Sequence, residues 1–238
     1  MKKKAICTDP TWAGRSDCAH CAIRSRVLFA DLPHDELNVA LLAVDDLVYQ
    51  PDRLLYRIGE QGKVLYTVRR GMVKLVRDLA DGSERVVRLL KAGDVAGLEM
   101  AIGSHYKHTA ITLTETEVCR IPLSTLERLE VHSPRLAHQL MLRWQNAVDD
   151  ADRALVEFST GAAEVRIAHL LLYLSSLNED GTGIELSRHD MGSFLGITTE
   201  TASRAMADLK RRGLVTELPG RDAFRCNRAL LARIADPS

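Results

Sequence analysis

The chain has 238 residues, room for one large domain or two small ones, and a composition of 46% hydrophobic and 27% charged residues excludes disorder over most of it. Its 32 Lys and Arg balance 32 Asp and Glu, so the formal net charge is zero. That excludes a histone-like polybasic binder, but not a nucleic-acid protein whose basic patch is offset elsewhere.

The chain opens Met1-Lys2-Lys3-Lys4-Ala5-Ile6-Cys7. No apolar segment follows this basic end, so it is not a secretory signal. No run approaches the ~18–20 apolar residues of a membrane span. A cytoplasmic protein without a membrane partner is expected. Cysteines stand at Cys7, Cys18, Cys21, Cys119 and Cys226. An odd count with a C-x-x-C pair points to metal or redox chemistry rather than a disulfide scaffold.

Residues 26–45 carry Leu32, Leu37, Leu41 and Leu42 at near-helical spacing, predicting a short helix or two. Residues 47–124 alternate strand-like runs with turn signals. Val64-Leu65-Tyr66-Thr67-Val68, Val73-Lys74-Leu75-Val76 and Arg85-Val86-Val87-Arg88-Leu89-Leu90 are separated by Arg70-Gly71 and Asp81-Gly82. This spacing predicts an all-β sandwich or barrel, with a hairpin at Asp81-Gly82.

Ser133-Pro134 is a helix-start signal, Ser at the N-cap and Pro in the first turn. A long helix is expected to run to about Ser159. Ala137, Leu140, Trp144, Ala147, Ala151, Ala154 and Phe158 step by alternate threes and fours, with Met141, Val148 and Leu155 widening the stripe. Two readings fit this heptad seam: a helix on its own core, or a parallel coiled coil between two copies. In the second, Leu140, Trp144, Ala147, Val148, Ala151, Leu155 and Phe158 form the dimer interface. Asp149, Asp150 and Asp152 beside it would make two copies repel. A further helix begins near Ala162.

Ser187-Arg188-His189-Asp190 is capping-box-like, and a short helix is expected from there to Leu195-Gly196. Thr198 can cap a second helix, from Thr199 to Arg212, which Gly213 stops. Helix, tight turn, helix is a helix-turn-helix pattern, though an ordinary helical hairpin shares it. Glu200, Ser203 and Arg204 share one face of the second helix, where recognition helices reach base edges. Arg binds guanine bidentately and Glu accepts from cytosine N4. Thr198 and Thr199 belong to the same DNA-facing end, and Lys210 and Arg211 suit phosphates. Residues 214–218 and 223–226 predict a two-stranded wing. Residues 187–238 hold nine Lys/Arg against six Asp/Glu, a net of +3.

Together these segments resemble the Crp/Fnr transcription regulators over essentially the whole chain. The resemblance rests on Tyr66-x-Val68-x-x-Gly71-x-Val73-Lys74-Leu75, on Asp81-Gly82-x-Glu84, and on Leu90-x-x-Gly93-Asp94-x-x-Gly97. The stretch Asp190-Met191-Gly192-x-Phe194-Leu195-Gly196-Ile197-Thr198-x-Glu200-Thr201-x-Ser203-Arg204 is similar to the Fnr branch. The implied fold is α+β: a cysteine-bearing arm (1–25), a cyclic-nucleotide-binding-like β-roll, or jelly roll (26–132), a dimerisation helix (133–160) and a winged helix-turn-helix (161–238). The implied partners are double-stranded DNA with TTGAT-like inverted repeats, a second copy in a homodimer, and RNA polymerase, with the Asp81-Gly82 loop a candidate polymerase contact. No enzymatic activity is implied.

In the Fnr branch three N-terminal cysteines and a central one hold an oxygen-labile [4Fe–4S] cluster. Cys18, Cys21 and Cys119 match that pattern; Val27 stands at the third N-terminal position, where Cys7 is the candidate replacement. Oxygen or nitric oxide is the implied signal. Four thiolates also suit zinc, thiol–disulfide sensing stays open, and Asp9, Asp17 or His20 could supply a ligand. Cys226 is read as structural. No cyclic nucleotide is expected, because His108 replaces the family's phosphate-binding Arg, and Glu99 only weakly echoes its ribose-binding Glu. Haem at His105 and His108, a small ligand in the roll and a cupin-like metal enzyme are the remaining alternatives.

Overall fold

The computed structural model describes residues 9–17, 20–33, 43–130, 133–219 and 222–236. The helices expected around Leu37, Leu41 and Leu42 lie outside these residues, as do Cys7 and Cys18. The chain divides into two compact units, Met1–Leu79 with Val87–Val148, and Ala80–Val86 with Asp149–Ser238.

The first unit is built on two antiparallel sheets. One contains β1 (Thr11–Arg15), β2 (Asp45–Tyr49), β9 (Thr116–Pro122), β4 (Val64–Arg70) and β7 (Val95–Ala96), in that order. The other contains β3 (Leu54–Tyr56), β8 (Thr109–Thr112), β5 (Val73–Asp78) and β6 (Glu84–Leu90). Strand β4 lies between two neighbours, and Leu65, Tyr66, Thr67 and Val68 along it are all buried. That is why it looks continuously apolar in sequence rather than alternating. Gly71 makes the β4–β5 turn at φ +86°, and a Cβ there would sit 2.3 Å from the Glu115 carbonyl oxygen. Only glycine fits. At the Asp81-Gly82 hairpin Asp81 accepts the Ser83 amide at 2.8 Å.

Strand β1 was not legible in the sequence. Part of the cysteine-bearing segment forms the edge of the five-stranded sheet, pairing Trp12 with Leu47 and Arg15 with Asp45. Its side chains are mostly exposed, so no apolar alternation marks it. Leu28, Leu65, Val68, Leu90, Val118 and Ile121 lie in one core with Leu126 of α1 (Leu123–Glu130) and Leu136 and Leu140 of α2 (Pro134–Glu157).

Ser133 does not cap α2 through its side chain. Its hydroxyl is buried without a hydrogen-bond partner among the described residues, and its carbonyl accepts from the Leu136 amide at 3.1 Å. Position 133 is almost fully buried.

In the second unit α3 (Ala163–Ser176) buries Ile167, Leu170, Leu171 and Leu174. Around it lie α4 (Arg188–Leu195), α5 (Thr199–Arg211), α6 (Arg228–Ala235) and a sheet. The expected two-stranded wing is three-stranded. Strands β11 (Val215–Glu217) and β12 (Ala223–Cys226) are joined by β10 (Thr182–Ile184), which pairs with β12. Three residues with glycine in the middle give no strand signal. Gly183 is there because the Phe224 ring occupies the place of its Cβ, 2.2 Å away.

Candidate functional site

Two groups of residues carry the chemistry. The first is the helix pair of the second unit. Ser187 caps α4, its hydroxyl accepting the Asp190 amide at 3.0 Å and donating to the Asp190 carboxylate at 2.6 Å. Gly196 ends α4 at φ +67°, the left-handed value a sharp stop needs. A Cβ on Gly192 would lie 2.8 Å from the Ile197 carbonyl oxygen, so the turn closes only over glycine. Thr198 then caps α5 by accepting the Thr201 amide at 3.1 Å.

Burial of Ala202, Met206 and Leu209 fixes the rotation of α5. It leaves Thr198, Thr199, Glu200, Ser203 and Arg204 exposed. The Glu200 carboxyl is held below its ordinary range by its own backbone amide and then by the Thr198 side chain. It is therefore ionised at neutral pH and able to accept. The expected phosphate contacts sit differently. Lys210 is paired with Glu217, Arg211 with Asp208, and Arg212 with Glu164 at 2.5 Å and Asp208 at 3.0 Å. The basic end of α5 is drawn into pairs within its own chain.

The second group surrounds Cys119. Strand β9 runs between β2 and β4, placing Cys119 opposite Asp46 on one side and Thr67 on the other. Its buried thiol donates to Asp46 Oδ1 at 3.4 Å. Asp46 also accepts from the Ser16 hydroxyl and pairs with the Arg69 guanidinium. Burial would lower the Arg69 guanidinium, but Asp46, then Cys119 and Cys21, hold it above its ordinary value. Both described cysteines of the expected ligand set are therefore within electrostatic reach of one cation. Neither is in a disulfide, and Cys21 is half-buried.

Asp17 and His20 pair with each other at 2.9 Å, both well exposed. Val27, in the third-cysteine position, is a buried core residue. Cys226 is half-buried on β12, in the other unit. Among the described residues no three His, Cys, Asp or Glu side chains gather as a metal group. In the roll, Glu99 accepts the Lys107 amide at 2.9 Å and lies 3.8 Å from His108 Nδ1. His105 bonds Ser104 at 2.8 Å.

Along α2 the apolar positions separate into two sets. Leu140, Ala147 and Phe158, expected at the seam, are buried within the chain, Phe158 against the rings of Tyr173 and Phe194. Met141, Trp144, Val148, Ala151 and Leu155 are exposed, again at alternate steps of three and four.

Residues 46–131 match the cyclic nucleotide-binding domain and residues 165–234 the Crp-like helix-turn-helix domain. The chain belongs to the Crp/Fnr family of DNA-binding transcription regulators. Among its relatives are the fumarate and nitrate reduction regulatory protein of Salmonella typhi, 28% identical over 210 residues, covering 83% of this chain and 82% of that one. Regulatory protein HlyX of Actinobacillus pleuropneumoniae is 24% identical over 226 residues, covering 89% and 92%. The structure of FixK2 from Bradyrhizobium japonicum superposes with a TM-score of 0.73 at 26% identity, over 82% of this chain and 99% of that one. No helix among the described residues is long and apolar enough to cross a membrane.

Proposed function

We propose that this regulator senses oxygen or redox state through a [4Fe–4S] cluster held by Cys18, Cys21, Cys119 and Cys7. The carrying observation is the buried Cys119 thiol on β9 bonded to Asp46, which also pairs with Arg69, with Cys21, remote in sequence, near enough to act on the same guanidinium. Cysteine sulfurs near a cation suit an anionic iron–sulfur group, so the described half of the donor set fits it chemically. The bound group supplies a metal–thiolate junction that oxygen or nitric oxide can destroy. Around it, this chain's residues tie the N-terminal segment to β9, and α2 presents its exposed stripe to a second copy. In the homodimer two α5 helices read TTGAT-like half-sites through Glu200, Ser203 and Arg204. One copy alone engages a two-fold site poorly. A cytoplasmic location and an RNA polymerase contact at the Asp81-Gly82 hairpin complete the proposal.

Anaerobic absorption with iron and sulfide analysis, before and after air, tests the sensing step. Visible absorption that air bleaches is expected, together with loss of binding to a TTGAT-type palindrome. A colourless protein with stoichiometric zinc would overturn it. A Cys119→Ser variant is expected to take up little iron and to bind DNA equally with and without oxygen.

A second reading has its own observation. Arg88 Nε is buried in the roll without a hydrogen-bond partner among the described residues, and the buried Tyr56 feels the charges of Glu99 and Arg88. An unpaired buried polar atom favours a small polar ligand there. Cyclic AMP is not the proposed one, since His108 stands where the family's phosphate-binding arginine is expected. Cyclic AMP is expected to leave DNA binding unchanged; a rise in affinity on titration would favour this second reading.

A further inference from the structure

Asp46 is in an unusual place for a carboxylate. It lies on β2 directly across from Cys119, takes the thiol at 3.4 Å, and is tied by Ser16 from the segment after β1 and by Arg69 from β4. Three elements thus converge on one carboxylate beside a cysteine expected to bind metal. Asp46 accepts the S–H of an expected ligand rather than being one of the expected set itself. It is a neighbour of the ligand.

What such a neighbour does follows from charge. Without metal, the Cys119 S–H donates to Asp46, a weak but satisfied bond in a buried place. With metal, the S–H bond breaks, a sulfur–metal bond forms, and the proton leaves to water. The carboxylate then has no hydrogen to accept and faces sulfur carrying negative charge. Arg69, paired with the other oxygen of the Asp46 carboxylate and within electrostatic reach of Cys119, is the cation able to offset this repulsion.

Building on the sensing role proposed above, we propose that Asp46 and Arg69 form a charge latch on Cys119, Asp46 favouring release of the metal group and Arg69 favouring its retention. The pair sets how readily the regulator lets go. Asp46 and Arg69 are positioning residues, since they act through Cys119.

Full-length protein is reconstituted anaerobically with iron and sulfide, or with zinc alone, then challenged with excess EDTA without oxygen. Loss of metal is followed by visible absorption or released zinc. Outer partners of metal ligands typically change affinity by about 10–100-fold. Asp46→Asn keeps the shape and removes the charge, and should slow metal loss by about tenfold at the lower end of that range. Arg69→Gln should speed it. In the double variant, metal loss should return towards the Asp46→Asn rate, because the charge Arg69 offsets is gone. If Arg69→Gln does not fold, Arg69→Lys and Asp46→Asn decide. If the parent holds zinc but not iron and sulfide, the cluster reading falls, and the latch is judged on zinc retention. If the parent loads but Asp46→Asn loses metal at the parent's rate, with unchanged circular dichroism, the latch is overturned and the cluster reading stands. A parent that holds neither overturns both.

Discussion

Glu200, Ser203 and Arg204 are positioned by what lies behind them. Ala202, Met206 and Leu209 pack inward, so the three polar side chains have nowhere to point but outward. A bidentate Arg–guanine contact is worth about 1–3 kcal/mol of discrimination. Arg204→Ala should therefore cost that much on the preferred palindrome and little on unrelated DNA, measured by fluorescence anisotropy at fixed salt. Asp208 has the opposite role, since it holds both Arg211 and Arg212. Asp208→Asn should free Arg211 for phosphate, Arg212 staying with Glu164, raising affinity for unrelated DNA and steepening its dependence on log salt by about one charge. Titration across a salt series checks this. The cap on α5 is a local device, and Thr198→Ala should cost about 1 kcal/mol in urea unfolding.

At the scale of elements, α2 belongs to two environments. Its inner face carries Leu136 and Leu140 into core contacts, Phe158 just past its end packs on Tyr173 and Phe194, and Met141, Val148 and Leu155 remain exposed. A soluble helix with so wide an apolar stripe on its outer face fits a helix that pairs with another copy. Val148→Asp should lower the dimer population with little effect on the monomer's stability, as read by analytical ultracentrifugation. Phe158→Ala should do the reverse, costing about 3–5 kcal/mol of stability through the cavity left beside Tyr173 and Phe194. The heptad pattern was visible in the sequence, but it merged the two faces. Period alone cannot say which of two adjacent stripes meets its own core.

For the whole molecule, the zero net charge conceals a division of labour. The C-terminal region carries an excess of positive residues, yet much of the positive charge at the end of α5 is spent within the chain. In the proposed homodimer, binding strength then rests on two copies acting together rather than on generic attraction to phosphate.

The amino-acid sequence by itself determined the β-roll strands with their glycine turns, the long helix and the capped helix pair. It also marked Glu200, Ser203 and Arg204. Each depends on residues near one another in the chain: a period, a cap, a glycine where the backbone turns. Tertiary structure alone decided that the N-terminal segment supplies β1, that Gly183 admits the Phe224 ring, and that Asp46, Arg69 and Cys119 meet. Those features depend on strands distant in sequence lying side by side. Pairing of that kind leaves no local pattern, because the residues that meet are chosen by the register of the sheet.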